Sequence, residues 1–327
     1  MPRHGFRIKE SKGITYVLGW ISKIQREVTQ DLGTGGRFAR LPNPLKSLPL
    51  HLIQFEKSHE GLGPVFGLGV APTLKKAQIV AYFEYIERLA YLQLGAEVGL
   101  TSSNGIAAHK FRFLAKRSGA FELFERDAFL AHWYSQSPFR HWENAEIPPV
   151  LKLVIRELKV RGQRTILATT SLGFQPTVVC FLINEATGGF CIGTSAGKGK
   201  TGDAFKALIE AVINLEFGDY GIPRADLIAE ARGQTFESLN SHRAYWLYVD
   251  QLPKWVNISA SHRPLERHPP RINFLLLKTH PFPVVAAQSE SLLQLEAGPP
   301  SNGSIDKLTA RLSSRYTSQS PLPHPMF

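Results

Sequence analysis

Two short segments of this sequence share one pattern of acidic residues, in which two glutamates stand three positions apart and an arginine follows the second. They are Glu84-Tyr85-Ile86-Glu87-Arg88 and Glu122-Leu123-Phe124-Glu125-Arg126, and a further glutamate, Glu210, stands in a similar apolar setting. Residues three apart project from the same side of an α-helix, so each segment would present a pair of carboxylates. Such pairs suit Mg²⁺, which takes oxygen ligands and is usually held by a few carboxylates together with substrate phosphates.

The same spacing also fits ordinary ion pairs on a helix surface. Glu84 precedes Arg88 by four residues, as Glu122 precedes Arg126, and such a pair stabilises a helix by only about 0.2–0.5 kcal/mol. For one segment alone, the ion pair is the simpler interpretation. Because the pattern recurs on two predicted helices among apolar neighbours, we favour a metal-binding site.

Three long predicted helices carry these glutamates. They cover residues 74–96, where Thr73 is a suitable N-cap, residues 108–134 and residues 203–217. Strands are predicted at 13–20, 64–70, 165–171, 176–183, 189–194, 272–277 and 283–288, and further helices at 150–161 and 224–246. The last thirty residues are rich in Ser, Pro and Asn, and we expect no regular structure there. Helices that alternate with short strands indicate an α/β or α+β fold.

The composition is typical of a folded globular protein. The chain has 327 residues, a formal net charge of +11 and 43% hydrophobic residues. Its longest apolar stretches, such as 178–183, are far shorter than the roughly 20 residues that a bilayer requires, so we expect no membrane span. No apolar segment follows the basic first residues, so we expect no secretory signal. Two cysteines, Cys180 and Cys191, form neither a disulfide scaffold nor a zinc module, and the expected location is a reducing cytoplasm.

The basic charge admits three classes of partner: nucleic acid, an acidic membrane surface, or an acidic peptide or phosphate-bearing ligand. The charge is spread along the chain, with no run of five or more Lys and Arg. None of the usual nucleic-acid-binding motifs is present, so sequence-specific nucleic-acid binding is disfavoured.

The glycine-rich segment 193–202 partly fits two catalytic motifs. A phosphate-binding P-loop would need Gly at position 194, which is Thr. Gly193-Thr194-Ser195-Ala196-Gly197 fits the nucleophile elbow of a serine hydrolase, with Ser195 as nucleophile. In an elbow, however, the serine leads directly into a helix, and here further Gly, Lys and Thr residues intervene before Asp203. The simplest interpretation is a flexible turn capped by Thr201 or Asp203.

In its order of motifs the chain resembles the YcaO family. That family is marked by a first helix with Glu-x-x-Glu-Arg, an Asn-Gly loop, a second helix with Glu-x-x-Glu-Arg-Asp-Ala, and a Gly-rich turn before a third helix with a glutamate. The matching segments here are Glu84–Arg88, Asn104–Ala108, Glu122–Ala128 and Ala207–Ala211, in that order. The ending, Pro321-Leu322-Pro323-His324-Pro325, is similar to the Pro-x-Pro-x-Pro tail of azoline-forming members.

The resemblance implies an ATP- and Mg²⁺-dependent enzyme that acts on peptide backbone amides, most simply by cyclodehydration of Cys, Ser or Thr to azolines. The implied fold has mixed sheets flanked by long helices that carry the acidic motifs. The implied metal ligands are Glu84, Glu87, Glu122, Glu125 and Glu210. Arg88 and Arg126 would contact phosphate or brace the carboxylates, Asn104 would lie near the nucleotide, and Lys198 and Lys200 would add positive charge near the phosphates.

The resemblance also implies an organisation of the chain and a set of partners. Residues 1–60 would be an N-terminal segment of the same domain, 61–300 the catalytic core and 301–327 the Pro-rich tail. We expect the tail to insert near the active centre, which makes Pro325 and Phe327 candidate catalytic residues. The expected partners are an acidic, ribosomally made precursor peptide, a leader-binding protein and a second copy of the chain in a homodimer, with no membrane.

Three positions depart from the family pattern. Val80 stands where a serine is usual, Leu68 lies between two glycines where a lysine is usual, and Asn214 falls where the third motif usually continues to a Gln and an Arg. These departures keep a second hypothesis open, in which the chain is a degenerate, non-catalytic partner or scaffold.

Overall fold

The computed structural model describes residues 24–100, 102–217, 224–233, 242, 244–259, 270–277, 282–295, 301–312 and 324–325, and the structural statements below concern these residues. The strand predicted at 13–20 lies outside them, as does Phe327. The helices are α1 (24–33), α2 (Leu74–Leu94), α3 (Arg112–Ser135), α4 (Pro149–Val160), α5 (Lys200–Phe217), α6 (Arg224–Gly233) and α7 (Asn302–Leu312). The strands are β1 (Arg37–Leu41), β2 (His51–His59), β3 (Gly63–Ala71), β4 (Ile106–Ala108), β5 (Arg140–His141), β6 (Gln163–Thr169), β7 (Val178–Asn184), β8 (Phe190–Ser195), β9 (Asn273–Leu277) and β10 (Val284–Gln288).

The strands form antiparallel sheets on which the long helices pack. The sheet orders are β1-β2-β3, β4-β10-β9 and β5-β6-β7-β8. Helix α2 packs on β2 and β3, α3 packs on β10 and β4, and α5 packs on β7 and β8. The predicted mixed α/β class is therefore confirmed.

The hairpin of β2 and β3 leads directly into α2. Thr73 caps this helix as predicted, because its side-chain oxygen accepts a hydrogen bond from the Lys76 N–H. Gly67 lets the strand approach the helix backbone closely, since a Cβ there would lie 2.2 Å from the Ala81 carbonyl oxygen. We call β2, β3 and α2 together the first hairpin–helix unit.

The hairpin of β7 and β8 leads into α5 in the same way and forms the second hairpin–helix unit. A Cβ at Gly193 would lie 2.1 Å from the Ala207 carbonyl oxygen. Helix α5 begins at Lys200, three residues before the predicted start at Asp203. The buried Asp203 carboxylate reaches back from the first turn and accepts the Lys198 N–H, so the turn and the helix start stabilise each other.

Helix α3, which carries the second glutamate pair, lies between the two units. Its predicted start at Ala108 is wrong, because residues Ile106–Ala108 form the strand β4 and Phe111 is still extended. In β4, Ala108 pairs with Val284 of β10. This pairing joins segments that are distant in sequence, so local helix propensity does not reveal it.

The C-terminal half of α3 is anchored in an aromatic core. Trp133 is 1% exposed and meets the rings of Trp246 and Trp255 edge-on, each at 5.2 Å between centroids. Phe139 and Phe190 pack in the same cluster. This anchoring holds the middle of α3, where the glutamates lie, against the second unit.

The C-terminal region differs from its prediction. Asn302–Leu312 forms the helix α7, although the last thirty residues were expected to lack regular structure. Leu308 is 1% exposed and belongs to the aromatic core, so tertiary packing stabilises a helix that composition disfavours. Within the described residues, no helix combines the length and apolar character needed to cross a bilayer.

Candidate functional site

The first glutamate pair lies on α2, and both carboxylates accept backbone hydrogen bonds from neighbouring segments. Glu84 accepts the Leu68 N–H of β3 at 3.1 Å and also pairs with Arg88 at 2.7 Å. Glu87 accepts the Ala108 N–H of β4 at 2.6 Å. The predicted helical ion pair is therefore present for Glu84, while Glu87 joins α2 to the segment that precedes α3.

The second pair lies on α3, and its two members have different surroundings. Glu125 is 3% exposed and accepts hydrogen bonds from the Thr194 hydroxyl at 2.7 Å and the Ala196 N–H at 3.1 Å. Lys206 of α5 places its ammonium 3.5 Å from the same carboxylate. Glu122, one turn earlier, faces the first pair closely enough for its charge to act on Glu87.

The third glutamate completes the convergence of the three helices. Glu210 of α5 accepts the Thr194 N–H at 3.4 Å and lies 4.0 Å from Arg126 of α3. Arg126 thus pairs across helices, and not with Glu122 as the four-residue spacing suggests. The structure therefore brings together the five glutamates that the sequence singles out, on neighbouring faces of α2, α3 and α5.

Burial and mutual repulsion raise the pKa values of the carboxylates nearest α2. The pKa of Glu87 lies well above its ordinary value, chiefly because the group is desolvated, with repulsion from Glu122 and Glu84 adding to the effect. Desolvation raises the pKa of Glu122 to about 7, against the attraction of Arg126. Desolvation also raises the pKa of Glu84. The ionised forms of these carboxylates are therefore disfavoured, and a bound cation would favour them.

On the α5 side the protein supplies its own cations. Burial alone would raise the pKa of Glu125, but Lys206, Arg126 and the hydrogen bonds from Thr194 and Ala196 together hold that pKa below its ordinary value. In return, Glu125 is the main cause of the raised pKa of Lys206. Glu125 is therefore ionised in a site that already contains compensating positive charge.

Two buried polar groups at the site have no partner within the described residues. Asn104 is 8% exposed, and both its amide nitrogen and its amide oxygen lack a hydrogen bond, as does Nε of Arg126. Gly105, with φ +81°, packs against Leu123 and so holds this loop beside Glu122. Buried groups without partners are costly, and a bound polar ligand that pairs with them removes the cost.

The donor set fits Mg²⁺ together with a phosphate ligand. Within the described residues, no three His, Cys, Asp or Glu side chains are grouped closely enough to hold a metal ion by themselves. Magnesium keeps several waters and takes phosphate oxygens along with one or two carboxylates, so it does not need a closed cage of protein ligands. Carboxylates facing one another from neighbouring helices, beside an unpartnered amide and guanidinium nitrogen, meet that requirement.

Sequence reasoning missed two residues of the site. Lys206 stands one helical turn before Glu210 and so shares its face, but the acidic pattern that marks the site does not include a lysine. Thr194 bridges Glu125 and Glu210 through its hydroxyl and its N–H. Of the predicted lysines, Lys200 instead pairs with Glu146 at 2.7 Å.

The geometry of the glycine-rich turn argues against a serine hydrolase. Ser195 is 0% exposed, and its hydroxyl donates its hydrogen bond to the Asp203 carboxylate at 2.9 Å. The same carboxylate accepts the Lys198 N–H, so this amide is not available to cradle a phosphate. The turn is thus structural, and Asp203 stabilises it from within the helix, whereas Thr201 does not cap the helix because it lies inside it.

Two residues of the Pro-rich tail are described, and both are buried. The His324 ring is 0% exposed and packs on the Tyr134 ring, with 6.4 Å between centroids, and on the His242 ring. Tyr134 lies nine residues after Glu125, or about 14 Å along the axis of α3. Pro325, the next residue, is also buried. Its participation in the active centre stays a prediction, and Phe327 lies outside the described residues.

Comparisons with known proteins give a match to one family model. The family model described as YcaO cyclodehydratase, ATP- and Mg²⁺-binding, matches residues 90–255, about half of the chain. The search of curated proteins gave no match.

Several solved structures have a similar fold. The YcaO protein from Methanopyrus kandleri, bound with AMPPCP and Mg²⁺, is 15% identical over 95% of each chain, with a TM-score of 0.58. A heterocyclase in complex with substrate and cofactor is 12% identical over 89% of this chain and 54% of that one, with a TM-score of 0.61. The E. coli microcin synthetase complex with pro-MccB17 bound is 12% identical over 88% of this chain and 96% of that one, with a TM-score of 0.50.

Proposed function

The chain belongs to the YcaO family, whose members bind ATP and Mg²⁺, and we propose that it activates peptide backbone amides by phosphorylation. Its most fitting reaction is cyclodehydration of Cys, Ser or Thr residues to azolines. The observation that carries this proposal is the convergence of five glutamates from three helices beside the unpartnered Asn104 amide and Arg126 Nε. Such a site suits a ligand that brings both metal and phosphate.

The chemistry needs a phosphoryl donor because an amide oxygen is a poor leaving group. The thiol or hydroxyl of the substrate residue loses its proton as it adds to the preceding carbonyl carbon, and bound ATP would supply the phosphoryl group that this carbonyl oxygen takes up as ADP departs. Cleavage of the carbon–oxygen bond then releases phosphate, and loss of the nitrogen proton leaves the C=N bond of the ring. Phosphoryl transfer asks the protein mainly for positioning and charge neutralisation.

The residues of this chain would supply that positioning. Glu84, Glu87, Glu122, Glu125 and Glu210 would hold Mg²⁺. The Nε of Arg126 has no acceptor among the described residues and would donate to a phosphate oxygen, while Arg88 braces Glu84. Asn104, with both amide atoms unpartnered in a buried loop, would pair with the nucleotide. Lys206 would keep Glu125 ionised and would offset the charge of the phosphates.

The substrate proposed for this site is a ribosomally made precursor peptide. The net charge of +11 favours an acidic peptide over a basic one. We further propose a leader-binding partner protein and a homodimer as assemblies in which the chain works, in a cytoplasmic setting. The microcin synthetase and the heterocyclase to which the chain is similar were captured with pro-MccB17 and with substrate, respectively, which supports a peptide substrate.

The experiment that tests this function is peptide-dependent phosphate release. Short peptides encoded beside the gene are mixed with ATP, Mg²⁺ and the protein, and both phosphate and the loss of 18 Da per ring are followed. We expect release that requires peptide and falls at least about a hundredfold in Glu125→Gln. Glu185→Gln, an exposed change of the same charge, serves as the control. Full turnover in Glu125→Gln would contradict the proposal.

A second candidate function, a non-catalytic peptide-binding partner, is favoured by one observation. The Lys206 ammonium already lies beside Glu125, so part of the acidic site is neutralised without metal. Val80, Leu68 and Asn214 also depart from the family pattern. This candidate predicts no nucleotide affinity in the folded wild-type protein together with tight association with a peptide or an enzyme partner.

A further inference from the structure

One surface of the molecule combines exposed aromatic rings, positive charge and a strand edge that no described strand covers. It consists of the start of α3 with the two residues before it and of the edge strand β9, and we call it the basic edge surface. Its residues are Lys110, Phe111, Arg112, Phe113, Lys116, Arg117, Phe274, Leu275 and Leu276. We propose that this surface binds an acidic peptide segment in extended form, and in particular a segment that flanks the reacting residues of the substrate.

The two segments of the surface carry positive charge and no acidic residue. The sequence has no Asp or Glu from Val98 to Phe121, and none from Arg267 to Ser289. Within the described residues, Arg112, Lys116 and Arg117 form none of the ion pairs, although cations elsewhere pair with Glu56, Asp31, Glu146 and Glu216. Unpaired cations on one face attract an anionic partner and guide its approach.

The aromatic residues of the surface are exposed in an ordered arrangement. Phe113 is 65% exposed and Phe111 is 44% exposed, and their rings stack with 5.7 Å between centroids. No side chain caps the start of α3, and its first turn has no acidic residue. The exposed rings do not stabilise the isolated protein, because apolar surface in water costs free energy. The cations at the start of α3 do not stabilise it either, because they oppose the helix dipole.

Strand β9 extends the surface and offers backbone groups. It pairs with β10 on one side, and no described strand pairs with its other edge. Leu276 is 49% exposed and Leu275 is 36% exposed, although both lie in the middle of the strand. Lys116 lies 5.1 Å from the centre of the Phe274 ring, which joins the strand to α3. An open, apolar strand edge accepts an extended chain through main-chain hydrogen bonds.

The surface lies at a useful distance from the acidic site. Arg112 and Glu122 are ten residues apart on α3, which is about 15 Å along the helix axis. An extended peptide covers that distance with about five residues. Arg117 and Phe121, whose side chains are in contact, lie between the two places. That a segment bound at the surface presents a residue to the glutamates is the part of the inference that rests on the proposed function.

An acidic peptide fits this surface better than nucleic acid does. Leucine side chains and an open strand edge match the side chains and the backbone of a peptide, whereas they offer nothing specific to phosphates or bases. The cations then select acidic over basic peptides, and the paired phenylalanines select segments that carry an apolar residue.

Fluorescence anisotropy with defined probes tests the inference on the full chain. The probe is a fluorescein-labelled twelve-residue peptide that alternates glutamate with valine and phenylalanine, compared with its lysine-for-glutamate analogue and with a twenty-nucleotide single-stranded RNA. We expect the acidic peptide to bind and the basic analogue not to bind. The double variant Lys116→Glu/Arg117→Glu should weaken binding at least about tenfold, and Phe113→Ser about threefold.

Matched changes on α4 distinguish a specific surface from general attraction to a basic protein. Arg156→Glu/Lys159→Glu reverses two exposed charges, and Val160→Ser alters a side chain that is 89% exposed. Equal losses in these controls would overturn the inference, and so would unchanged binding in the α3 variants or tighter binding of the RNA.

Calorimetry with ATP and Mg²⁺ on the same proteins separates this inference from the proposed function. Wild-type nucleotide affinity in Lys116→Glu/Arg117→Glu, together with lost peptide binding, supports the inference. If the wild-type protein binds the acidic peptide but no nucleotide, the proposed function fails and the binding surface stands. If it binds nucleotide but not the peptide, the surface fails and the proposed function stands.

Discussion

The two hairpin–helix units place a glutamate in the same way against a glycine-containing strand, yet they surround it with different charges. Leu68 donates its N–H to Glu84 and Thr194 donates its N–H to Glu210, and each pair is sixteen residues apart. Gly67 and Gly193, one residue before each donor, bring the strand onto the helix backbone. The two units thus share one local design for holding a carboxylate.

The difference lies in the residues around each carboxylate. One turn before the glutamate stands Val80 in the first unit and Lys206 in the second, and three residues after it stand Glu87 and Ile213. The first unit therefore gathers negative charge, and Glu87 has a raised pKa. The second places Lys206 beside Glu125 of α3 and so holds the pKa of that carboxyl down, whereas burial still raises the pKa of Glu210.

This contrast indicates that the two sides of the site have different roles, which we call a division of labour: the α2 side is suited to bind the metal, and on the α5 side a lysine compensates a carboxylate. On the α5 side Lys206 already offsets the charge of Glu125, while on the α2 side the charges of Glu87 and Glu122 repel each other. A divalent cation gains most where carboxylates repel one another and have no ammonium beside them. We therefore expect Mg²⁺ to enter on the side of Glu87 and Glu122.

The largest expected effect concerns the glycines that both units share. Gly67→Ala and Gly193→Ala place a Cβ about 2 Å from a helix carbonyl oxygen that belongs to the backbone and cannot rotate away. Each should lower the free energy of unfolding by about 3 kcal/mol or more. Urea unfolding measures this, with Gly33→Ala as the control because a Cβ there meets nothing within 4 Å. A loss below about 1 kcal/mol in either variant would contradict the view that both units need the glycine for the close approach of strand and helix.

The next effect is a pH dependence that belongs to the α2 side. Folding raises the pKa of Glu122 from 4.5 to about 7, so the folded state binds the proton more tightly than the unfolded state. This contribution to stability is full below about pH 4.5 and is lost as the pH rises through 7, by about 2 kcal/mol after allowance for partial exposure.

Urea unfolding of the metal-free protein at pH 5 and pH 8 checks the pH dependence. Glu122→Gln should reduce the difference in unfolding free energy between the two pH values, and Glu185→Gln should leave it unchanged. Over the same range Mg²⁺ affinity should rise with pH in the wild-type protein, because the metal competes with the proton. Identical pH profiles in wild type and Glu122→Gln would show that this carboxylate does not have the proposed environment.

An exchange of one residue between the units should change metal affinity in opposite directions. Val80→Lys adds an ammonium one turn before Glu84 at a position that is 38% exposed, and should weaken Mg²⁺ binding about tenfold. Lys206→Met removes the ammonium beside Glu125 and should strengthen it by a similar factor. Calorimetry with Mg²⁺ alone measures both, and changes in the same direction would refute the division of labour.

The smallest effect concerns the ion pair on α2. Arg88 and Glu84 are each about one-third exposed, so Arg88→Met should cost only about 0.5 kcal/mol of unfolding free energy. If Arg88 also braces Glu84 for metal binding, the free energy of nucleotide binding should be reduced by more than the free energy of unfolding. Urea unfolding and calorimetry on the same sample give both values, and a stability loss above about 2 kcal/mol would assign the pair a structural role instead.

Local signals in the sequence predict most of the site. The helix after Thr73, the glutamate spacing and the Asn104-Gly105 loop all depend on neighbours within a few residues, and the structure brings their side chains together. The start of α3 is different, because Ala108 is held in β4 by Val284, far away in the sequence. Lys206 acts on Glu125 of another helix, so its role emerges only once the helices are packed.

The most direct test of the account is calorimetry of ATP binding in the presence and absence of Mg²⁺, with Glu87→Gln compared with Glu216→Gln. Glu216 is an exposed residue of α5 that pairs with Arg161 outside the site. We predict saturable binding that requires Mg²⁺ in the wild type and in Glu216→Gln, and a loss of at least about tenfold in Glu87→Gln. Wild-type affinity in Glu87→Gln, or no binding by the folded wild-type protein, would contradict the account.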